Sequence, residues 1–155
     1  MTKQEFTKLI NTLLKKDGFI KKGSNFYFDC ENDIVCVFGM YKSNYDEYYY
    51  MEYGFAFKSI NPKSPFPKYF ELNVNCGRLL IDGDTAIYYE TVNEDNLIKT
   101  IHEVLIKLVE TGKRGKDAIC KVFVPKCYYI ISQKTLEYLG IEQGKLHVYP
   151  ETLWE

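Results

Sequence analysis

Ile34-Val35-Cys36-Val37-Phe38, Gly39-Met40-Tyr41-Lys42, Ser43-Asn44-Tyr45-Asp46-Glu47 and Tyr48-Tyr49-Tyr50-Met51-Glu52-Tyr53-Gly54-Phe55-Ala56-Phe57 follow one another without a break, and this stretch decides the fold. Residues 34–38 are an unbroken apolar run rich in β-branched side chains. A strand covered on both faces has that composition, so the run is placed at the centre of a sheet. Ser43 to Glu47 has turn chemistry. Beyond it the period is two, with Tyr49, Met51, Tyr53, Phe55 and Phe57 alternating against Tyr48, Tyr50, Glu52, Gly54 and Ala56. The first set forms a core face. The second is a mixed face of tyrosine, carboxylate and small residues.

Working outward, Phe26, Phe28 and Cys30 alternate ahead of a turn at Glu31-Asn32-Asp33, which adds a strand on the upstream side. Thr2 and Glu5 form a capping box, and Phe6, Leu9, Ile10, Leu13 and Leu14 recur at helical spacing until Gly18. Downstream, after a loop marked by Pro62, Pro65 and Pro67, Phe70, Leu72, Val74 and Cys76 are expected to face inward and Glu71, Asn73 and Asn75 outward. Gly77 marks a bulge there. Asp82-Gly83-Asp84 turns the chain into a strand at 86–91. Asn93 caps a second helix, whose stripe Leu97, Ile98, Ile101, Val104, Leu105, Leu108 and Val109 ends at Gly112. Residues 118–124, ahead of Pro125, fit a short helix or a strand, and a strand is expected. Residues 128–131 read as a strand, Ser132 caps a short helix to Leu139, Gly140 ends it, and 146–149 pair at an edge.

The fold expected from this order is α+β: a meandering antiparallel sheet of about five strands, two helices packed on one of its faces, and a C-terminal extension. Residues 1–112 would form the helix-meander-helix core and 113–155 the extension packed on the same domain.

Composition narrows the function. With 20 Lys and Arg against 21 Asp and Glu, the net charge of −1 supplies no global field toward nucleic acid or an anionic membrane. Hydrophobic residues at 46% and charged residues at 26% belong to a chain that folds without a partner. No apolar run approaches the roughly 18 residues of a membrane span, and the opening Met1-Thr2-Lys3-Gln4-Glu5 is unlike a signal peptide, so a cytoplasmic location is expected. Cys30, Cys36, Cys76, Cys120 and Cys127 contain no C-x-x-C pair and fall in apolar surroundings, as buried reduced thiols do. The 14 tyrosines, beside 10 Phe and 1 Trp, point to an aromatic-rich sheet.

Gly18-Phe19-Ile20-Lys21-Lys22-Gly23, then Phe26-Tyr27, Tyr41-Lys42-Ser43-Asn44-Tyr45 and Tyr49-Tyr50-Met51-Glu52-Tyr53-Gly54-Phe55 form a succession that resembles a bacterial domain family of unknown function. Its members are small cytosolic proteins with an N-terminal helix and a similar Gly-Phe-Lys-Lys-Gly opening. The likeness runs over residues 2–112, where Asn75-Cys76-Gly77-Arg78-Leu79 is similar to a later strand of that family and its arginine. A tryptophan-rich patch of the family's later strands is replaced by Ile87-Tyr88-Tyr89-Glu90. The resemblance implies a setting beside toxin or defence systems for some members, and it offers no catalytic residues to carry over.

Constellations that could carry chemistry are few. His102 lies one position off the apolar stripe of the second helix, where a surface histidine is the simpler reading than a base for Cys76. Scattered Cys and two distant His, His102 and His147, lack the close pairs of a zinc site, and neither a metal nor a cofactor is expected. Gly112-Lys113-Arg114-Gly115-Lys116 follows a helix instead of opening one, so it reads as a solvated connection and not a phosphate loop. Lys15, Lys16, Lys21 and Lys22 complement a helix C-terminus. Asp82 and Asp84 are explained by turn chemistry, although with Glu90 they could serve as acid and base or hold a divalent ion.

Two features remain. Tyr48, Tyr50 and Glu52 on one strand and Glu71, Asn73 and Asn75 on another would share the sheet face away from the helices, in the composition of a protein-binding patch; the bland alternative is that the C-terminal segment covers it. Arg78 is distinctive because 18 of the 20 basic residues are lysine, and a guanidinium suits bidentate and stacked contacts; an ion pair with a rim carboxylate is its structural alternative. The expectation is a non-enzymatic interaction module, an immunity or counter-defence factor binding a co-encoded toxin or defence protein through Tyr48, Tyr50, Glu52, Asn73, Asn75 and Arg78. The alternative is a small-ligand protein or enzyme with its pocket near Arg78. Single-stranded nucleic acid on a tyrosine platform would need a basic groove that the sequence lacks.

Overall fold

The structure is a computed structural model and describes residues 1–61, 66–68, 71–126, 129–131, 133–142 and 148–149. Phe70, Cys127, Tyr128, Ser132, Leu146 and His147, named in the sequence reading, lie outside these residues, as do Pro62 and Pro65.

Helix α1 (Lys3–Lys16) starts at the expected capping box, with Thr2 N–H donating to Glu5 Oε2 at 2.7 Å and Glu5 N–H to Thr2 Oγ1 at 3.1 Å. It buries Phe6, Ile10 and Leu14, one residue per turn of the predicted stripe. Strands β1 (Ile20–Lys22), β2 (Asn25–Asp29), β3 (Ile34–Lys42) and β4 (Tyr48–Phe57) then form an antiparallel meander.

The β3–β4 register runs from Ile34 opposite Phe57 to Lys42 opposite Tyr49. Parity then sorts the side chains. Cys36 with Phe55, Phe38 with Tyr53 and Met40 with Met51 point to one face, and Val35 with Ala56, Val37 with Gly54, Gly39 with Glu52 and Tyr41 with Tyr50 to the other. The first face meets α1 and α2 (Glu94–Arg114), whose Leu97, Ile101, Leu105 and Leu108 join Phe6, Ile10 and Leu14 in one core with Phe38, Met51 and Phe55. Asn93 caps α2 through its side chain, which accepts from Asn96 N–H at 2.9 Å. On the second face Tyr27, Val35, Val37, Ala56 and Leu72 make a smaller cluster.

β5 (Val74–Arg78) pairs with the C-terminal half of β4, while β6 (Ile87–Tyr88) pairs with its start, Tyr48 opposite Tyr88. Between them the register slips: Gly54 faces Asn75 but Tyr53 faces Gly77, leaving Cys76 as an extra residue. The bulge expected at Gly77 is therefore present, and Gly77 supplies the positive φ, +101°, that it needs.

The inside and outside assignment of this strand is corrected. Val74 does face the helix-side core and Asn75, opposite Gly54, the other side, but Asn73 and Asn75 are each 1% exposed and not open to solvent, and Leu72 belongs to the second-face cluster. The reason is tertiary: Asn73 is taken up by Phe57 N–H, Asn61 and Thr135, Asn75 by Gly77 N–H, and β7 (Tyr129–Ile131) pairs with the far edge of β5 at Val74 and Asn75.

Residues 118–124 are also corrected. They form helix α3 (Lys116–Val122) and enter a 3₁₀ turn at Val124–Lys126, not a strand. Ile119 and Phe123, about one helical turn apart, both reach the helix-side core. Helix α4 (Gln133–Leu139) follows β7, and β8 (Val148–Tyr149) pairs with it in parallel. The paired order is β1-β2-β3-β4-β5-β7-β8. The architecture is thus α+β, with a meandering sheet and helices on one face.

Candidate functional site

The alternation of β4 sends Tyr48, Tyr50 and Glu52 to the face away from α1 and α2. Arg78 joins them because of the bulge. Counted in an unbroken register from Val74 opposite Phe55, Arg78 would fall opposite Met51 and point into the core; the extra residue Cys76 puts it opposite Glu52 instead. There Arg78 Nε donates to Glu52 Oε1 at 3.1 Å, and its guanidinium carbon lies 3.7 Å from the centre of the Tyr50 ring. The ion pair is unequal in exposure, 44% for the Arg78 side chain and 13% for Glu52, so the carboxylate is seated and the cation reaches outward.

Aromatic contacts extend the cluster. The Tyr48 and Tyr50 rings meet edge to face at 5.0 Å with their hydroxyls 3.0 Å apart, and Tyr88 packs on Tyr48 at 5.0 Å. Tyr41 lies opposite Tyr50 and donates to Asn25 Oδ1. Its ring lies over Gly39, where a Cβ would collide with the Tyr41 hydroxyl. Carboxylates rim the tyrosines: Tyr88 donates to Asp46 Oδ2 at 3.4 Å, Tyr89 donates to Glu47, and Lys42 Nζ reaches Glu47 Oε1 at 3.4 Å. Hydrogen bonds with Ser43 and Tyr50 hold the Tyr48 phenol below its ordinary range, while the bond to Tyr48 raises Tyr50. Desolvation, then the Asp46 charge, raises Tyr88.

Beside Arg78 is a shallow groove of about 330 Å³ lined by Glu52, Gly77, Arg78, Leu80 and Thr85, with Leu80 well exposed. A second groove, about 420 Å³, lies toward the other end of the same sheet face among Ile20, Tyr27, Val35, Ala56, Phe66 and Pro67. Asp29 and Lys58, paired at 2.8 Å, stand at its rim.

The structure brings Tyr48, Tyr50, Glu52 and Arg78 together, whereas Asn73 and Asn75 are buried and offer no surface beside them. Asn73 Oδ1 accepts from Phe57 N–H at 2.8 Å and from Asn61 Nδ2 at 3.1 Å, and its Nδ2 donates to Thr135 Oγ1 at 3.1 Å. Asn75 Oδ1 accepts from Gly77 N–H at 2.7 Å and steadies the bulge. Both are fasteners inside the fold. The sequence reading missed Tyr41, Tyr88 and Leu80 as members of the patch. Tyr41 was open to counting across the turn, since it shares the parity of Tyr50; Tyr88 depends on the β4–β6 pairing and Leu80 on the bulged β4–β5 pairing, which runs on to Leu79 N–H donating to Met51 O at 2.7 Å, and no local pattern encodes either.

The C-terminal segment uses its placed apolar side chains elsewhere. Ile119, Phe123, Val124, Leu136 and Leu139 enter the helix-side core, and Tyr138 packs on Phe57 at 4.6 Å. Other candidates resolve into structural parts. His102 Nδ1 lies 3.7 Å from Asp17 Oδ2 on the helix surface, Asp82 Oδ1 accepts from Asn96 Nδ2, and Asp84 Oδ1 accepts from Ala86 N–H at 2.9 Å. Among the described residues no helix is long and apolar enough to cross a membrane.

A family model described as a domain of unknown function, DUF4304, matches residues 10–123. No curated protein and no solved structure matches the chain.

Proposed function

Because the chain belongs to the DUF4304 family of domains of unknown function, we propose, on the strength of its surface, that it is a non-enzymatic protein-interaction module that binds through the tyrosine face around Arg78. The observation that carries this reading is Arg78 itself, stacked on Tyr50 and bonded to Glu52 on the side of the sheet away from α1 and α2. Tyrosine and arginine supply a large share of the energy at protein interfaces, and side chains already held in place lose little freedom on binding. Asp46, Glu47, Glu52 and Asp84 surround the tyrosines, against Lys42 and Arg78. That balance fits a partner surface of net positive charge. The partner class we assign is a co-encoded toxin or defence protein that this chain blocks, which rests on the family resemblance of residues 18–23 and 41–55.

The groove beside Arg78 favours a second reading, a small ligand. Against it stands the Glu52 carboxylate, which already occupies the Arg78 Nε that an anionic ligand would use.

Tagged protein used as bait in native lysate should recover one protein at near-stoichiometric yield. Tyr50→Ala, checked for an unchanged circular dichroism spectrum, should weaken binding at least roughly thirtyfold, the loss of about 2 kcal/mol that marks an interface anchor. Unchanged affinity in Tyr50→Ala rules out this face, and a retained small molecule in place of a protein supports the groove.

A further inference from the structure

Cys30 follows β2 and Cys36 lies within β3. The hairpin pairs Phe28 with Cys36 and Asp29 with Val35, and Cys30 N–H donates to Ile34 O at 3.1 Å, so the two cysteines are diagonal neighbours on the helix-facing side. Their sulfurs lie 3.6 Å apart. Helix α2 clamps the pair: a Cβ on Gly112 would sit 2.7 Å from Cys30 Sγ and 2.9 Å from Cys36 Sγ, and Cys36 Sγ donates to Leu108 O at 3.5 Å. Cys36 is fully buried, whereas Cys30 keeps 9% exposure next to the turn at Glu31, whose φ is +62°.

From this geometry we propose that Cys30 and Cys36 are a reversible modification site, a dithiol that closes to a disulfide by exchange with a low-molecular-weight disulfide such as oxidised glutathione. The sulfurs need to approach by about 1.5 Å to reach a disulfide bond length. Cys30, at the strand end, is the partner with room to move. The two thiols are also unlike each other: the hydrogen bond they share, aided by Lys113, holds Cys30 below the ordinary thiol range against its burial, while the same bond, and burial, push Cys36 up. Cys30 is the attacking sulfur and Cys36 the resolving one.

The Cys30 thiolate attacks one sulfur of the small disulfide, forming a mixed disulfide and expelling one thiolate. Cys36 gives up its proton and attacks Cys30 Sγ, forming the Cys30–Cys36 bond and expelling the second thiolate. The protein dithiol is oxidised by two electrons, and the small disulfide is reduced to two thiols.

Native full-length protein is incubated with oxidised glutathione and its intact mass measured, followed by non-reducing digestion. Wild type should lose the mass of two hydrogen atoms, with the link mapped to Cys30–Cys36 and reversed by dithiothreitol. Cys36→Ser, a change of one atom, should stop at a glutathione adduct on Cys30, and Cys30→Ser should leave Cys36 unmodified. An unreactive wild type, a link mapped to Cys76, Cys120 or Cys127, or an adduct on Cys36 in Cys30→Ser overturns the proposal.

Discussion

Arg78 owes its role to one neighbouring residue. Deleting Cys76 would restore an unbroken register and turn the guanidinium from the Tyr50 ring toward the core beside Met51. Tyr27 illustrates a different residue-scale effect: its phenol donates to Phe66 O at 3.1 Å and Pro67 O at 2.9 Å, and burial pushes its pKa up to about 12 from 10.0. A tyrosine whose pKa is raised in the folded state favours folding fully below pH 10.0, and that contribution is lost as pH rises toward about 12. Tyr27→Phe should therefore cost about 1 kcal/mol at neutral pH, the net value of a hydrogen bond. It should also flatten the fall of the urea midpoint across that alkaline window, with Tyr138, likewise raised to about 12 by burial and Asp33, keeping its share. Urea titrations at successive pH values check this, and a slope equal to that of wild type would place the alkaline sensitivity elsewhere.

Among the elements, β5 and α3 departed most from their sequence patterns. Alternation along 70–76 promised a strand with one wet face, but the chain pairs only from Val74, and Asn73 uses its amide where a further ladder bond would be. It thereby ties β4, through Phe57 N–H, to α4, through Thr135 Oγ1. Asn73→Ala leaves the buried Phe57 N–H without its acceptor, so a loss of about 1–3 kcal/mol is expected in denaturant unfolding. Faster hydrogen exchange at the Phe57 amide should accompany it, and a change below about 0.5 kcal/mol would mean that Asn73 holds nothing together. For α3, the run Ala118 to Val124 is apolar in both periods, because Ile119 and Phe123 suit a helix while β-branched residues suit a strand. The α2 surface against which the segment packs decided the matter.

For the molecule as a whole, the division at residue 112 marks a change of sequence character more than a structural seam. Ile119, Phe123, Val124, Leu136 and Leu139 share one core with Phe6, Phe38 and Leu105. Five such side chains, at about 1.5–3 kcal/mol each, rival the whole stability of a domain, about 5–15 kcal/mol. A chain ending at Gly112 should accordingly lose its cooperative thermal transition, read by circular dichroism. A sharp transition in that truncated chain would make the C-terminal part an appendage instead of core.

What the sequence determined by itself was local and periodic: the capped α1, the α2 stripe, the buried run of β3, and the parity that puts Tyr48, Tyr50 and Glu52 on one face of β4. Each of these needs only spacing along a single element. The tertiary structure decided that Arg78 meets Glu52 and Tyr50, that Tyr88 completes the patch, that Asn73 and Asn75 go inside, and that two cysteines touch beneath Gly112. Those outcomes depend on register, on one bulge and on which element covers an edge. Such relations join residues far apart in the chain, and no local period records them.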